Sequence, residues 1–389
     1  MTPSTASITT PAGFTAAGVP AGLKSAGRLD LALVVNTGPL FHAAGVFTGN
    51  RVKAAPVLWS AQVLTDHTLR AVVLNSGGAN ACTGPEGFAD THRTAELVAG
   101  ALGIGAIDVA VCSTGLIGTR LPMDAIESGV VAAVQALSAD GGGDAAIAIM
   151  TTDSVPKTSV HRGEGGWSVA GMAKGAGMLA PGLATMLVVL TTDAVVSPTA
   201  LDQALRAACH TTFDRLDSDG CMSTNDTVLL LSSGASAITP DPQELTAAVT
   251  DVCADLAAQL LSDAEGAAHD IAITVSGAAS ETDALMVGRS IARNNLFKCA
   301  VFGQDPNWGR VLAAIGTTDA VFEPDRLDVS FNDVRVCVGG AIGEPRELVD
   351  LSQRQVRVDV DLHAGPHGAT IWTNDLTYDY VRENAEYSS

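Results

Sequence analysis

The chain has 389 residues, of which 47% are hydrophobic, and a mean hydropathy of +0.27, so a disordered protein is excluded and two or three compact domains are expected. The net charge is −20, from 42 acidic residues against 22 Lys and Arg, and it disfavours nucleic acid or an anionic membrane surface as a partner. No apolar run approaches the roughly 18 residues of a membrane span. No secretory signal is visible, and a cytoplasmic location is expected.

Cysteine and histidine usage gives no sign of a metal centre. The seven cysteines are odd in number and never spaced as CxxC, which argues against a disulfide framework or structural zinc. The eight histidines lack an HExxH pattern. We therefore expect no metal and no cofactor.

The first half of the chain alternates short apolar segments with helical patterns. Strands rich in Val and Leu are predicted at 29–35, 69–75 and 108–115, and helices with apolar spacing of 3.6 are predicted at 89–103 and 123–137. This alternation is typical of an α/β fold.

The same alternation continues beyond residue 185. Ser197 followed by Pro198 predicts the start of a helix over 199–216, because Ser is a good N-cap and Pro is favoured in the first turn. A strand is predicted at 227–233. Asp241 and Pro242 predict the start of a second amphipathic helix, which ends within 262–266.

From about residue 268 the pattern changes to alternating strands. Strands are predicted at 270–277, 298–303, 355–365 and 368–375, a helix at 284–295, and a hairpin over 326–340 that turns at Asn332 and Asp333. These elements predict a smaller α+β domain over 268–389, after a larger α/β domain over 1–267.

The segment 174–187, KGAGMLAPGLATML, places Thr185 between a glycine-rich loop and an apolar strand. A threonine hydroxyl is a weak nucleophile unless a base activates it, and an N-terminal threonine uses its own α-amine as that base. Cleavage after Ala184 would create this amine, and the small residues Gly175, Gly177 and Gly182 permit the close approach that self-cleavage needs. Taken alone, the same pattern is also that of an ordinary turn before a strand.

Further motifs along the chain resemble one family. The segments GMAKGAGMLAP and LATML, together with NSGGANACTG (75–84), CSTGLIG (112–118), IMTTDSVPK (149–157), STNDTVLLLSSG, DAEG, FGQDPNWGRVLAA (302–314) and ENAEYSS, are similar to the ornithine acetyltransferase family. They occur in that family's order and cover essentially the whole chain. The variation at Cys221 and Met222 departs from the family pattern and concerns local packing rather than the nucleophile.

The resemblance implies a layered α/β sandwich of the ornithine acetyltransferase and DmpA-like type, with a docked C-terminal tail. It implies self-cleavage between Ala184 and Thr185 into chains 1–184 and 185–389, which assemble as two copies of each. Thr185 would take the acetyl group of N2-acetyl-ornithine and pass it to glutamate, with Thr114 and Gly115 stabilising the oxyanion. Acetyl-CoA is a further donor in bifunctional members.

The resemblance also implies a set of substrate contacts. Lys174 corresponds to a lysine near the substrate carboxylate, and Thr152, Glu265, Asn384 and Ser389 correspond to further contacts, beside Thr185 itself. Taken alone, Thr152 would cap a turn, and Glu265 would be an unfavourable carboxylate at a helix end.

Two other functions remain open from the sequence. The same N-terminal threonine would serve a hydrolase that releases acyl groups to water. A protein that binds amino acids without chemistry is the second alternative.

Overall fold

The computed structural model describes residues 7–178 and 186–386, and within them three β-sheets are covered by helices. The strands are β1 (Phe14–Val19), β2 (Leu31–Asn36), β3 (His42–Phe47), β4 (Ala71–Ser76), β5 (Val109–Thr114), β6 (Lys157–Arg162), β7 (Ser168–Lys174), β8 (Leu187–Thr192), β9 (Thr227–Ser232), β10 (Asp270–Ala278), β11 (Asp328–Phe331), β12 (Val334–Val338), β13 (Ala341–Ile342), β14 (Gln355–Asp361) and β15 (His367–Asn374). The α-helices are α1 (Ala55–Val63), α2 (Gly84–Leu102), α3 (Met123–Ala136), α4 (Gly142–Ala148), α5 (Pro198–Thr211), α6 (Pro242–Ser262), α7 (Glu281–Ala292), α8 (Asn295–Phe302), α9 (Trp308–Ile315) and α10 (Tyr378–Glu386).

The first sheet has the strand order β1-β2-β4-β5, with α1 to α4 packed against it. Its central strands β2 and β4 are antiparallel, and β4 and β5 are parallel and joined through α2. All six residues of β4 are buried, as is usual for a strand covered on both faces. The carboxyl ends of β4 and β5 lie side by side, at Ser76 and Thr114.

The second sheet has the order β3-β9-β8-β7-β6 and lies between the first sheet and the helices α5 and α6. Alternate residues of β8 divide between these two neighbours. Leu187 and Val189 belong to the core shared with the first sheet, whereas Val188 and Leu190 pack with α5 and α6. Because side chains alternate along a strand, this arrangement gives a layered α/β sandwich, and the predicted α/β class is confirmed.

Helix α6 is the one helix in the described ranges that is long and apolar enough to cross a membrane. Its apolar side chains are buried in the core that it shares with α5 and the second sheet. Packing in this core therefore accounts for its composition. The N-caps predicted for α5 and α6 are confirmed, since Ser197 Oγ accepts from Ala200 N at 3.3 Å and Asp241 Oδ1 accepts from Gln243 N at 2.8 Å.

The third sheet has the order β13-β12-β11-β14-β10-β15 and is built from residues from Asp270 onwards. It has its own core with α7 and α9. The third sheet contacts the sandwich at its strand β15, where Asp217 N donates to the Trp372 carbonyl at 2.8 Å. The predicted hairpin is confirmed, with Asn332 and Asp333 at φ 44° and 71° between β11 and β12. The domain boundary at 267/268 stays a prediction.

One predicted strand is wrong. Residues 298–302 belong to helix α8, not to a strand, and Gly303 is its C-cap. The helix begins after Asn294, whose side-chain oxygen accepts from Phe297 N at 3.0 Å. Phe297 and Val301 are buried at a spacing of four residues, which is a helical repeat, so tertiary packing overrides the β propensity of a short apolar run.

Candidate active site

The end of β5 forms a tight loop at Thr114 and Gly115. The Thr114 carbonyl accepts from the backbone N–H groups of Gly77 and Gly78, at 2.9 and 3.0 Å. Gly115 has φ +131°, and a Cβ atom there would lie 2.6 Å from Gly78 N, so the position requires glycine. Among the described residues, no acceptor bonds the Gly115 N–H. This N–H is therefore available to an oxyanion, and the Thr114 hydroxyl, whose oxygen accepts from Lys174 Nζ at 3.4 Å, keeps its own proton to donate.

The segment NSGG supports this loop from the neighbouring strand. Ser113 Oγ donates to Asn75 Oδ1 at 2.6 Å, and Asn75 Nδ2 donates to the Gly78 carbonyl at 3.1 Å. Sequence reasoning did not assign Asn75 or Ser113 to the site. Their position at the ends of adjacent parallel strands is the signal that could have identified them.

Lys174, the last residue of β7, is buried behind the loop. Its side chain is 2% exposed, and its Nζ lies 3.4 Å from Thr114 Oγ1 and 4.0 Å from Asp153 Oδ2. Burial lowers the pKa of Lys174, and the charge of Asp153 opposes that shift. Lys174 is paired with Leu187 across β7 and β8, which places it beside the chain that follows Thr185.

Asp153 organises the cations around the site, and sequence reasoning missed it. Its Oδ1 accepts from Lys157 Nζ and from Gly175 N, both at 2.7 Å, and its Oδ2 accepts from Thr151 N at 2.9 Å. Burial raises the pKa of Asp153, but the charges of Lys174 and Lys157 outweigh it and hold the pKa at about 2. The carboxylate thus stays charged and fixes both Lys174 and the backbone that follows it.

Thr152 and Glu265 meet across the site. Thr152 Oγ1 donates to Glu265 Oε1 at 2.7 Å, and Glu265 N donates to the Ala176 carbonyl at 3.0 Å. A Cβ atom on Gly177 would lie 2.6 Å from Glu265 Oε2, so glycine at 177 leaves room for the carboxylate. Glu265 therefore faces the site from the loop after α6.

Helix α10 brings Asn384 to the same place. Thr377 Oγ1 donates to the Gly266 carbonyl at 2.6 Å and accepts from Tyr380 N at 2.9 Å, which ties the start of the helix to the loop of Glu265. Asn384 Nδ2 donates to the Tyr380 carbonyl at 3.0 Å, one helical turn earlier.

These elements line a cavity that is open to solvent and holds about 590 Å³ of empty space, its mouth included. It is lined by Thr114, Gly115, Ile117, Thr151, Thr152, Lys174, Gly177, Met178, Glu265 and Asn384. The structure thus brings together six of the positions predicted for the site. The other three, Ala184, Thr185 and Ser389, lie outside the described residues. A buried cation, a carboxylate and free hydrogen-bond donors converge there, which suits a zwitterionic ligand with an acyl group.

Comparison with known proteins identifies the family. A profile described as the ArgJ family matches residues 15–389. The chain belongs to the ArgJ family. The arginine biosynthesis bifunctional protein ArgJ of Streptomyces coelicolor is 66% identical over 383 residues, which cover 98% of this chain and 100% of that protein. The ArgJ protein of Mycobacterium tuberculosis (strain H37Rv) is 60% identical over 389 residues, which cover 98% of this chain and 96% of that protein.

Among solved structures, the chain is similar to ornithine acetyltransferase from Mycobacterium tuberculosis complexed with ornithine. That match has 61% identity and a TM-score of 0.45, and it covers 47% of this chain and 96% of that one. The ArgJ structure from Bacillus halodurans matches with 34% identity and a TM-score of 0.48. This match covers 51% of this chain and 97% of that one. The predicted family is confirmed by the sequence matches alone, and the chain is an ArgJ-family enzyme.

Proposed function

We propose that this ArgJ-family enzyme transfers the acetyl group of N2-acetyl-L-ornithine to L-glutamate through an acetyl ester on Thr185. The observation that carries the proposal is the cavity, in which Lys174, Glu265, Thr114 and Gly115 converge beside the two flanks of the segment 179–185. Family membership supports it, because the relatives are named as arginine biosynthesis bifunctional proteins.

The chemistry begins when Thr185 Oγ attacks the Ala184 carbonyl and the peptide C–N bond breaks to leave an ester. Water then hydrolyses this ester, which gives Ala184 a carboxylate and Thr185 a free α-amine and hydroxyl. That amine accepts the hydroxyl proton as Oγ attacks the acetyl carbonyl of the donor. The C–N bond of the donor then breaks, and the departing ornithine amine takes the proton. Glutamate's neutral α-amine next attacks the ester carbonyl, and its proton returns through the Thr185 amine to Oγ as N-acetylglutamate leaves.

Both half-reactions develop negative charge on the acetyl oxygen. The Thr114 hydroxyl and the Gly115 N–H are the donors proposed for this oxygen, and each donor of this kind contributes about 2.7–4 kcal/mol to transition-state stabilisation. Because Lys174 Nζ lies 3.4 Å from Thr114 Oγ1, its charge favours the same oxyanion.

The two substrates share an α-carboxylate and differ at the end of the side chain. Lys174 is proposed to bind the carboxylate, and Thr152 and Glu265 to bind the ammonium group of ornithine, as the charges and the Thr152–Glu265 hydrogen bond suggest. Asn384 and Ser389 are proposed to close the cavity from the carboxy-terminal tail. No cofactor is needed for this chemistry, and the assembly is proposed to hold two copies of each chain.

Intact-mass measurement of the purified protein tests the proposal. We expect fragments of residues 1–184 and 185–389, and incubation with N2-acetyl-ornithine alone should add one acetyl group to the second fragment. Thr185→Ala should give one full-length chain without acetylation. An uncleaved wild-type chain that transfers acetyl groups at full rate contradicts the proposal.

Omitting the acceptor separates transfer from hydrolysis. With wild-type enzyme and N2-acetyl-ornithine, ornithine release should stop after one equivalent when glutamate is absent and continue when it is present. Continued release of acetate without glutamate would identify a hydrolase instead.

Acetyl-CoA, tested as the only donor with glutamate, decides whether this chain also uses that second acetyl source. A chain that binds N2-acetyl-ornithine but is neither cleaved nor acetylated would be a binding protein.

A further inference from the structure

The residue that follows the proposed nucleophile is held at both of its backbone groups by the loop that leads into β9 and by the first residue of that strand. Met186 N donates to Asp226 Oδ1 at 3.0 Å, and the Met186 carbonyl accepts from Thr227 N at 3.2 Å. Asp226 is fully buried, at 0% exposure. Two consecutive residues therefore fix the backbone immediately after Thr185.

The preceding residue of the same loop reaches the other half of the site. Asn225 Nδ2 donates to the Ser113 carbonyl at 2.8 Å and to the Ala79 carbonyl at 2.6 Å. Ser113 precedes Thr114, whose hydroxyl is a proposed oxyanion donor. The pair Asn225–Asp226 thus links the strand that carries the oxyanion donors to the strand that follows the nucleophile.

Folding alone does not explain a carboxyl group at position 226. Among the described residues, its second oxygen, Oδ2, is buried and has no hydrogen-bond partner, and burial raises the pKa of Asp226 well above its ordinary value, against the opposing influence of the Met186 N–H and of Lys174. The hydroxyls of Ser223 and Thr48 lie beside it, but Thr48 Oγ1 donates to the Ser223 carbonyl at 2.7 Å. A buried carboxyl with only one of its oxygens hydrogen-bonded costs stability, which is typical of groups kept for function.

We propose that Asp226 is a positioning residue that aims Thr185 by accepting the Met186 N–H, while Asn225 fixes the facing oxyanion loop. The inference rests on the proposed function, since it acts through the residue next to the nucleophile. Both self-cleavage and acyl transfer depend on the separation between Thr185 Oγ and the oxyanion donors. Loss of the hydrogen bond from Met186 N to Asp226 therefore slows both reactions.

The test compares Asp226→Ala and Asp226→Asn with a matched control, Asp193→Asn. Asp193 is a buried carboxylate just after the far end of β8, and it accepts from Ser168 N at 2.7 Å and from Ala12 N at 3.0 Å. D226A should slow self-cleavage and lower kcat by at least about tenfold, with KM for N2-acetyl-ornithine within about twofold of wild type. D226N retains an oxygen acceptor and should restore both rates, and D193N should cleave normally.

The outcomes separate this inference from the proposed function. If wild type is not cleaved between Ala184 and Thr185, the proposed function fails. If wild type is cleaved and D226A matches it, only the positioning role is overturned. A folded D226N that is as slow as D226A also overturns it, because the ionisable carboxyl, and not an oxygen acceptor for Met186 N, would then be required. D226N decides the question even where D226A is recovered unfolded.

Discussion

Gly115 stands where the backbone of the proposed oxyanion loop comes closest to its neighbour. Because its φ is +131° and a Cβ atom at this position would lie only 2.6 Å from Gly78 N, Gly115→Ala should displace the loop and lower kcat by about tenfold or more. Steady-state kinetics with N2-acetyl-ornithine and glutamate measure this effect.

Gly118→Ala is the matched control for that change. Gly118 lies on the same loop with φ +84°, but a Cβ atom there would meet nothing within 4 Å. G118A should therefore carry only the strain of its backbone and keep most of the activity. Equal activity in the two variants would show that the close approach at Gly115 is unimportant for catalysis.

Asp153 is the residue whose loss should cost the most stability. Asp153→Asn removes the carboxylate that faces the buried Lys174 and one of the two that pair with Lys157, the other being Asp263, so the free energy of unfolding should fall by about 3–5 kcal/mol. Urea denaturation at neutral pH measures it. Asp251→Asn is the control, since Asp251 is exposed and contacts only His161 among the described ion pairs, and it should change stability by less than about 1 kcal/mol.

The carboxylate of Asp153 also makes the free energy of unfolding depend on pH in the acid range. The folded pKa of Asp153 is about 2, below its ordinary value of 3.8, so the unfolded chain binds its proton first as the pH falls. The stabilisation is complete above about pH 4 and is lost as the pH falls towards 2. Denaturation curves of wild type and D153N between these pH values should converge, and parallel curves would contradict the assignment.

At the scale of elements, α8 shows how a cap decides the structure of an ambiguous segment. Asn294→Ala removes the side-chain acceptor of Phe297 N and should lower stability by about 1 kcal/mol. Asn295→Ala, one residue further on and exposed, should change stability by less than half of that. Chemical denaturation of the two variants compares them directly. Equal losses would mean that the Asn294 cap is not needed for the helix.

The elements that the sequence predicted correctly are those with strong local signals. Ser197 and Asp241 fix the starts of α5 and α6 through side-chain hydrogen bonds, and the turn at Asn332 and Asp333 fixes the hairpin. The segment 298–303 carries no such signal within itself, because its four central apolar residues fit a strand as well as a helix, and the cap at Asn294 lies four residues before it. That cap and the packing of Phe297 and Val301 in the core of the third sheet together make the segment a helix.

Prediction of the site had a different limit. Motif resemblance named six of the ten residues that line the cavity, since their identities are set by chemistry. Asp153 and Asp226 were not named, because their importance comes from distances that only the fold creates: Asp153 to Lys157 and Gly175, and Asp226 to Met186. Residues that act on other residues leave a weaker sequence signal than residues that act on a substrate.

At the scale of the whole molecule, the proposed break falls inside one continuous sheet. In the order β3-β9-β8-β7-β6, the strands β3, β7 and β6 precede the break, and β8 and β9 follow it. The two fragments therefore share two strand boundaries, β3 with β9 and β8 with β7, each with a full register of backbone pairs. Both faces of this sheet are buried against the cores on either side.

This interleaving predicts that the fragments 1–184 and 185–389 stay together after self-cleavage. They should co-elute in size-exclusion chromatography at the volume of the uncleaved Thr185→Ala variant, and they should separate only in denaturant, because separation would expose two buried strand edges together with their apolar faces. Since β8 and β9 carry every backbone bond between the halves of the sheet, denaturation should release both fragments in one transition. Fragments that elute apart in native buffer would show that these strand pairs do not hold the cleaved protein together.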